Sequence, residues 1–212
     1  MDGCCYNSFS WHNSNSFNLY VLMAIYFTSG FYFGRVNDNL LVSRAQRLKT
    51  IINRHDVSMA IVKRCNSVIK NTSDILYILG DLTAGFSTKR DVEDIVHYTN
   101  MLTGVKILIP STRDSRFFES AIYNESKERL QVHREKMITA LKICQTKYIM
   151  SHPPLRNWED KARGVNSLYG QSLYSNSNNN ESSYTVSLDD NDYSPLTPLS
   201  VEQYFNQFGV PF

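Results

Sequence analysis

A short apolar run that ends in Gly-Asp constrains the fold of this chain more than any other feature. The run extends from Asp74 to Asp81, is rich in Ile and Leu, and is bounded by turn-forming residues. Such a run is typical of a buried β-strand, because helices are longer and show a 3.6-residue period. Asp81 would then stand at the carboxyl end of a strand, where open α/β sheets build their sites. Asp81 is therefore a candidate site residue, although a carboxylate that only caps a loop would suit the same position.

The segments that follow this strand predict a parallel α/β unit. Thr88-Lys89-Arg90-Asp91 resembles a helix-capping box, and apolar residues at helical spacing follow it up to an expected stop at Gly104. Val105–Ile109 is a second short apolar run, closed by Pro110. A strand, a helix and a strand in this order are typical of the right-handed crossover of parallel sheets.

The remaining elements are predicted from local patterns. We expect strands at 23–29, 148–150 and 184–188, and helices at 40–52, 58–70 and 126–144. The piece directly after Asp114 is predicted to be irregular, and Ser200 with Gln203 matches the capping signature of a short C-terminal helix. The basic residues Arg44, Arg47 and Lys49 are interpreted as the solvated face of the first helix.

One domain at residues 23–206 accounts for most of the predicted structure. A chain of 212 residues is long enough for one sizeable core plus tails. The other segments are an N-terminal extension (1–22) that could be disordered, a polar loop (174–183) expected to be mobile, and a tail (207–212). The apolar run at 19–27 is too short for a membrane span, and it lacks the preceding basic residues of a signal peptide.

Charge and cysteine content exclude several classes of function. The net charge of +2 is too small to indicate nucleic acid or an anionic membrane as a partner. The four cysteines show neither zinc-ribbon spacing nor a disulfide framework. This cysteine usage fits a reducing, cytoplasmic setting.

Five strand-end segments, taken together, resemble the calcineurin-like metallophosphoesterases. In chain order they are Tyr26–Arg35, Leu79–Asp81, Ile109–Asp114, Ser151–Leu155 and Leu168–Leu173. The resemblance extends over most of the chain, from about Met23 to Phe205. It implies an α/β fold of two facing mixed β-sheets flanked by helices, a metallophosphoesterase-like β-sandwich. It also implies a site in which two metal ions about 3.5–4 Å apart clamp a phosphate and activate a water.

The resemblance further implies that this metal site is degenerate. Only Asp81, the bridging carboxylate, and His152 remain as expected metal ligands, with Thr112 and Gln171 as weak neutral oxygen donors. Gly30 falls at the family's first Asp position, Asp114 at a supporting position, and the family's His positions fall on Tyr32, Arg35, Arg113 (the catalytic His), Gln171 and Leu173. Two divalent ions need more carboxylate and imidazole ligands than this set offers.

The implied function is a catalytically degenerate phosphoesterase-fold protein, or pseudoenzyme. It would bind a protein partner or a phosphorylated small molecule without hydrolysing it, or would be a relic, and no cofactor is expected. The alternative is a residual phosphoesterase that uses one weakly bound divalent metal (Mn, Fe, Ni or Zn) at Asp81 and His152. The resemblance also brings Arg35 and Arg113 near Asp81, where guanidinium groups could hold a phosphate or carboxylate. Each arginine could equally be an ordinary solvent-facing side chain.

Overall fold

Two four-stranded sheets, a short two-stranded sheet and flanking helices make up the described part of the chain, in a mixed α/β arrangement. The structure, a computed structural model, describes residues 23–126, 129–143, 145–171 and 179–208. The predicted N-terminal extension lies outside these residues, as do residues 209–212 of the predicted tail.

The elements are named here in chain order. The strands are β1 (Ile25–Thr28), β2 (Phe33–Gly34), β3 (Ile75–Ile78), β4 (Thr83–Gly85), β5 (Val105–Leu108), β6 (Val132–Arg134), β7 (Ile138–Ile143), β8 (Thr146–Ser151), β9 (Asn166–Tyr169) and β10 (Ser183–Thr185). The helices are α1 (Asp38–Leu48), α2 (Arg54–Val68), α3 (Lys89–Met101), α4 (Thr112–Glu119), α5 (Ala121–Glu125) and α6 (Pro198–Asn206).

The first sheet is built around the apolar run that ends in Gly-Asp. Its strand order is β1-β3-β5-β6, and every neighbouring pair is parallel. The predicted crossover is confirmed, because β3 and β5 pair in parallel and α3 connects them. Thr88 and Asp91 form the predicted capping box at the start of α3.

The second sheet has the order β10-β9-β8-β7 and is mixed, because β7 alone runs antiparallel to its neighbour. Side chains from both sheets share one hydrophobic cluster, which includes Phe27 and Leu79 from the first and Tyr148 and Leu168 from the second. Successive side chains of a strand point to opposite faces. Accordingly Leu76, on the other face of the first sheet, packs in a separate cluster with α2 and α3. The prediction of two mixed sheets therefore holds for the second sheet only.

The predicted helix at 126–144 is wrong, since this stretch contains β6 and β7. Apolar residues at 130, 137 and 141 gave a helical spacing, but Val132, Ile138 and Ile143 are β-branched and favour extended backbone. The partner strand decides the outcome: β7 pairs along its length with β8, from Ile138 with Ser151 to Ile143 with Thr146. Side-chain burial along β7 alternates, as expected for an edge strand with one covered face.

Two further differences concern the C-terminal part. The last helix begins at Pro198 with Thr197 as its N-cap, three residues before the predicted start, because proline suits the first helical position. Residues 174–178 of the predicted mobile loop lie outside the described residues. Asn179, at its end, is fixed by hydrogen bonds from the Tyr169 hydroxyl and the Thr185 amide.

Among the helices that the structure describes, none has the length and apolar character that crossing a bilayer requires.

Candidate functional site

The ends of strands from both sheets meet at one place. Beyond β1, the Ser29 hydroxyl donates to the carbonyl of Gly170, which follows β9, at 2.5 Å. The amide of Gly30 donates to the Gly80 carbonyl, beyond β3, at 3.3 Å. Only glycine fits at position 170, because a Cβ atom there would lie 1.6 Å from the Leu79 carbonyl oxygen. The loops that carry the candidate residues are therefore held together by their backbones.

Asp81 lies at the centre of this convergence. It is 5% exposed and has a φ of +50°, directly after Gly80 at +75°. Tyr32, whose amide donates to the Asp81 carbonyl at 3.0 Å, also has a left-handed φ, +55°. Such conformations cost free energy in residues other than glycine, and they concentrate at functional sites. The Asp81 carboxylate contacts the side chains of Arg113 and His152, contacts that a residue serving only as a loop cap would not need.

Helix α4 carries Arg113 to Asp81. The stretch after Asp114 is not irregular, as predicted, because Ser111 and Asp114 form a second capping box that starts this helix. The Asp114 carboxylate is fully buried and also accepts from the Thr83 amide at 3.0 Å. Burial raises the pKa of Asp114, and its hydrogen bonds from Ser111 and Thr83 oppose that rise. The anchored first turn brings the Arg113 Nη1 atom to 3.4 Å from Asp81 Oδ1.

His152, after β8, contacts the other oxygen of the same carboxylate. Its Nε2 atom lies 3.6 Å from Asp81 Oδ2, and its Nδ1 atom lies 3.0 Å from the Leu79 carbonyl oxygen. A carbonyl only accepts, so Nδ1 carries a proton and Nε2 is the nitrogen directed at Asp81. Gly80 makes room for the ring, because a Cβ atom there would lie 2.4 Å from Nδ1.

Tyr32 lies against this group and keeps its phenolic proton. Burial, followed by the charge of Asp81 and a hydrogen bond to it, raises the pKa of Tyr32 above its ordinary value. The phenol is therefore a neutral donor to the carboxylate. The Tyr32 ring also faces two guanidinium groups, with 4.8 Å from its centre to Arg44 Cζ and 5.6 Å to Arg113 Cζ.

Arg44 is part of the support of the site, and its interpretation as a solvated residue is wrong. The side chain is 2% exposed and forms an ion pair with Asp189 at 2.5 Å. It also donates to the carbonyls of Gly30 at 2.5 Å and Phe31 at 2.8 Å. Helix periodicity could not reveal this, because the acceptors lie outside the helix, in the loop after β1 and at Asp189, 145 residues away. Arg47, one turn later, is 46% exposed and matches the solvated interpretation.

The structure brings some of the predicted site residues together and separates others. The site contains Asp81, Arg113 and His152. Asp114 supports it indirectly, because its capping box fixes the start of α4, which carries Arg113. Thr112 is the exposed first residue of α4, and Gln171 donates its backbone amide to the His152 carbonyl at 2.8 Å. Arg35 instead donates to the Ser87 hydroxyl at 3.2 Å and lines a different cavity. Leu173 lies outside the described residues.

Few of the side chains that contact Asp81 are of the kinds that bind metal ions. One carboxylate and one imidazole face the site, and a guanidinium already contacts the carboxylate oxygen that a second cation would need. Gly30 has no side chain to offer. In the described ranges, no group of three or more His, Cys, Asp or Glu side chains is arranged to hold a metal ion.

Comparison with known proteins adds a likeness of fold. No protein-family model matches the sequence, and no curated protein matches it. Among solved structures, the chain is similar to AQ665 from Aquifex aeolicus, a protein of unknown function, with a TM-score of 0.59 and 16% identity. That match covers 85% of this chain and 98% of AQ665, which indicates a common fold. The phosphoesterase YfcE from E. coli matches over 78% of both chains at 13% identity, but its TM-score of 0.34 supports no inference.

Proposed function

We propose that this chain binds an anionic ligand, a phosphate ester or a carboxylate, at Asp81, Arg113 and His152 without hydrolysing it. In this proposal the fold is a metallophosphoesterase-like β-sandwich whose metal centre is degenerate. One observation carries the proposal: a guanidinium, and not a set of metal ligands, accompanies the buried carboxylate of Asp81. A buried carboxylate needs positive charge nearby, and Arg113 supplies it.

The geometry leaves Arg113 able to accept a ligand. Its side chain is 44% exposed, and its contact with Asp81 uses one nitrogen at a long 3.4 Å. A guanidinium has five N–H donors, so the others remain available for bidentate contact with a phosphate or carboxylate. In this proposal Asp81 positions the guanidinium, and His152 adds a second donor whenever its Nε2 carries a proton. Neither residue activates a water, so binding is not followed by cleavage.

Calorimetric titration with inorganic phosphate and with phosphorylated peptides tests the binding step. We expect Arg113→Ala to weaken binding about tenfold or more, since a hydrogen bond to a charged group contributes ~1.5–3 kcal/mol. Arg116→Ala is the matched control, because Arg116 is an exposed arginine on the same helix that no described ion pair with Asp81 includes. Equal affinities for the two variants would refute the assignment of Arg113.

A residual metal-dependent phosphoesterase is the second candidate. It is favoured by the hydrogen bond from His152 Nδ1 to the Leu79 carbonyl, because metal-ligating imidazoles are usually oriented in this way. Elemental analysis for Mn, Fe, Ni and Zn and hydrolysis of bis-p-nitrophenyl phosphate separate the two candidates. Stoichiometric metal, together with turnover that His152→Ala abolishes, would establish the enzyme. Metal-free protein with no turnover after metal addition is what the binding proposal expects.

A further inference from the structure

A second polar cavity lies where α2 and α3 begin. It has a volume of about 690 Å³, within the range of small-molecule sites. Three arginines line it, Arg35 from the loop after β2, Arg54 from α2 and Arg90 from α3. None of Asp81, Arg113 and His152 is among its lining residues. We propose that this cavity binds a phosphorylated, hydroxyl-bearing small molecule of sugar-phosphate size.

The charges in this cavity are not balanced within the protein. Asp91 accepts hydrogen bonds from Ser87 and Thr88 and lies 3.6 Å from Arg54, so its charge is already compensated. Arg35 donates only to a neutral hydroxyl at 3.2 Å. None of the ion pairs in the described part of the chain includes Arg35 or Arg90. Arg35 and Arg90 therefore line the cavity without a carboxylate at ion-pair distance, and the lining as a whole holds three arginines against two carboxylates, Asp91 and Asp94.

Two exposed guanidinium groups on one cavity suit a phosphate dianion, which each can contact through paired N–H donors. The first turns of α2 and α3 add the positive end of their helix dipoles to the same cavity. The Asp94 carboxylate also lines the cavity and accepts hydrogen bonds only, so it suits the hydroxyl groups of the ligand. The cavity thus combines donors for a phosphate with an acceptor for hydroxyls.

The lining favours a sugar phosphate over a nucleotide. Tyr98 is the one Phe, Tyr or Trp side chain on the described cavity wall, and it is 4% exposed. Its hydroxyl also lies 2.8 Å from His55 Nδ1, which fixes the ring within the wall. The wall therefore exposes no Phe, Tyr or Trp ring on which a purine or pyrimidine could stack, and the exposed His55 imidazole is held by its contact with the Tyr98 hydroxyl.

Titration calorimetry with ribose 5-phosphate tests this site in an Arg113→Ala background, which weakens the site proposed at Asp81. We expect ribose 5-phosphate to bind in that background. Arg35→Ala and Arg90→Ala should each weaken binding about tenfold or more, because each loses charged hydrogen bonds to the phosphate. Arg90→Lys should fall between, since lysine keeps the charge and loses the paired donors. Lys89→Ala is the control, because this substitution removes an equal charge one residue away from Arg90. Lys89 pairs with Glu93, and neither residue lines the cavity.

Several outcomes would overturn the proposal. Absence of binding at about 1 mM ribose 5-phosphate would do so, as would equal affinities for Arg90→Ala and Lys89→Ala. Equal affinities for ribose and ribose 5-phosphate would show that the cavity does not recognise the phosphate group. Tighter binding of a nucleoside monophosphate than of ribose 5-phosphate would overturn the choice of a sugar phosphate. A loss of binding only when Arg113 is replaced would assign the ligand to the other site.

Discussion

Replacing Arg44 with alanine should destabilise the protein severely, although Arg44 lies on an amphipathic surface helix. The side chain is 2% exposed and makes four hydrogen bonds, two to the Asp189 carboxylate and two to backbone carbonyls. Removing one partner of a buried ion pair costs about 3–5 kcal/mol, because the remaining charge stays buried without compensation. Asp189 is 17% exposed and keeps Arg47 at 3.8 Å, so we expect a loss near the lower end, ~3 kcal/mol.

Arg47→Ala provides the matched control for this prediction. Arg47 lies on the same helix and contacts the same carboxylate, but it is 46% exposed, and exposed pairs contribute under about 1 kcal/mol. Urea denaturation followed by circular dichroism measures both losses, provided that the denaturant dependence (the m-value) is unchanged. A double variant, Arg44→Met with Asp189→Leu, should be more stable than Arg44→Met alone, because it removes the unpaired charge of Asp189, while the carbonyls of Gly30 and Phe31 stay without their donor.

Equal losses for Arg44→Ala and Arg47→Ala would refute this reasoning. So would a double variant as unstable as Arg44→Met alone, because the cost would then come from lost packing and lost carbonyl hydrogen bonds and not from the unpaired charge of Asp189. The functional consequence is separate: Arg44 holds the carbonyls of Gly30 and Phe31, and without it the loop that presents Tyr32 should lose order.

Two further predictions concern single positions. Gly80→Ala should lower the free energy of unfolding, measured by urea denaturation, by about 2–3 kcal/mol. Alanine would adopt a left-handed backbone at +75°, and its Cβ atom would lie 2.4 Å from the His152 ring and displace it. An unchanged imidazole signal in nitrogen-15 NMR would contradict this prediction. Asp91→Asn should lower stability at neutral pH by about 1 kcal/mol. Burial opposes ionisation of Asp91, but hydrogen bonds from Ser87 and Thr88 outweigh it and lower its pKa below 3.8. Its stabilisation is therefore present above pH 3.8 and lost as the pH falls through the lowered pKa, so the two proteins should converge in acid; a constant difference would contradict it.

Local sequence patterns were sufficient to predict the two central strands of the first sheet and the helix that connects them. The strand before Asp81, the capping box at Thr88 and the next strand each obey a short-range rule, and all three agree with the parallel pairing of β3 and β5. The same rule could have found α4, because Ser111 and Asp114 have the spacing of Thr88 and Asp91.

Other features depend on residues that are distant in the chain. The stretch at 126–144 carries both a helical and an alternating pattern, and only its pairing with β8 selects the strands. Arg44 could not be recognised as buried, because its partner Asp189 is 145 residues away. Arg35 was expected near Asp81, but its backbone pairs with Gly85 and its side chain follows toward Ser87. Each of these outcomes is decided by tertiary contacts that no local rule contains.

The position of Arg44 also bears on whether a metal centre could be rebuilt here. Under the proposed resemblance, restoration begins with Gly30→Asp, Tyr32→His and Arg113→His. A side chain at Gly30 would start 3.9 Å from the Arg44 guanidinium and would adopt a left-handed backbone at +74°. The new carboxylate would therefore compete with Asp189 for Arg44 before it could serve a metal ion. Replacing Arg113 alone frees the carboxylate of Asp81, but the buried guanidinium of Arg44 remains next to the site. Restoring metal affinity should thus require a neutral residue at position 44 as well, with Asp189 neutralised in the same step.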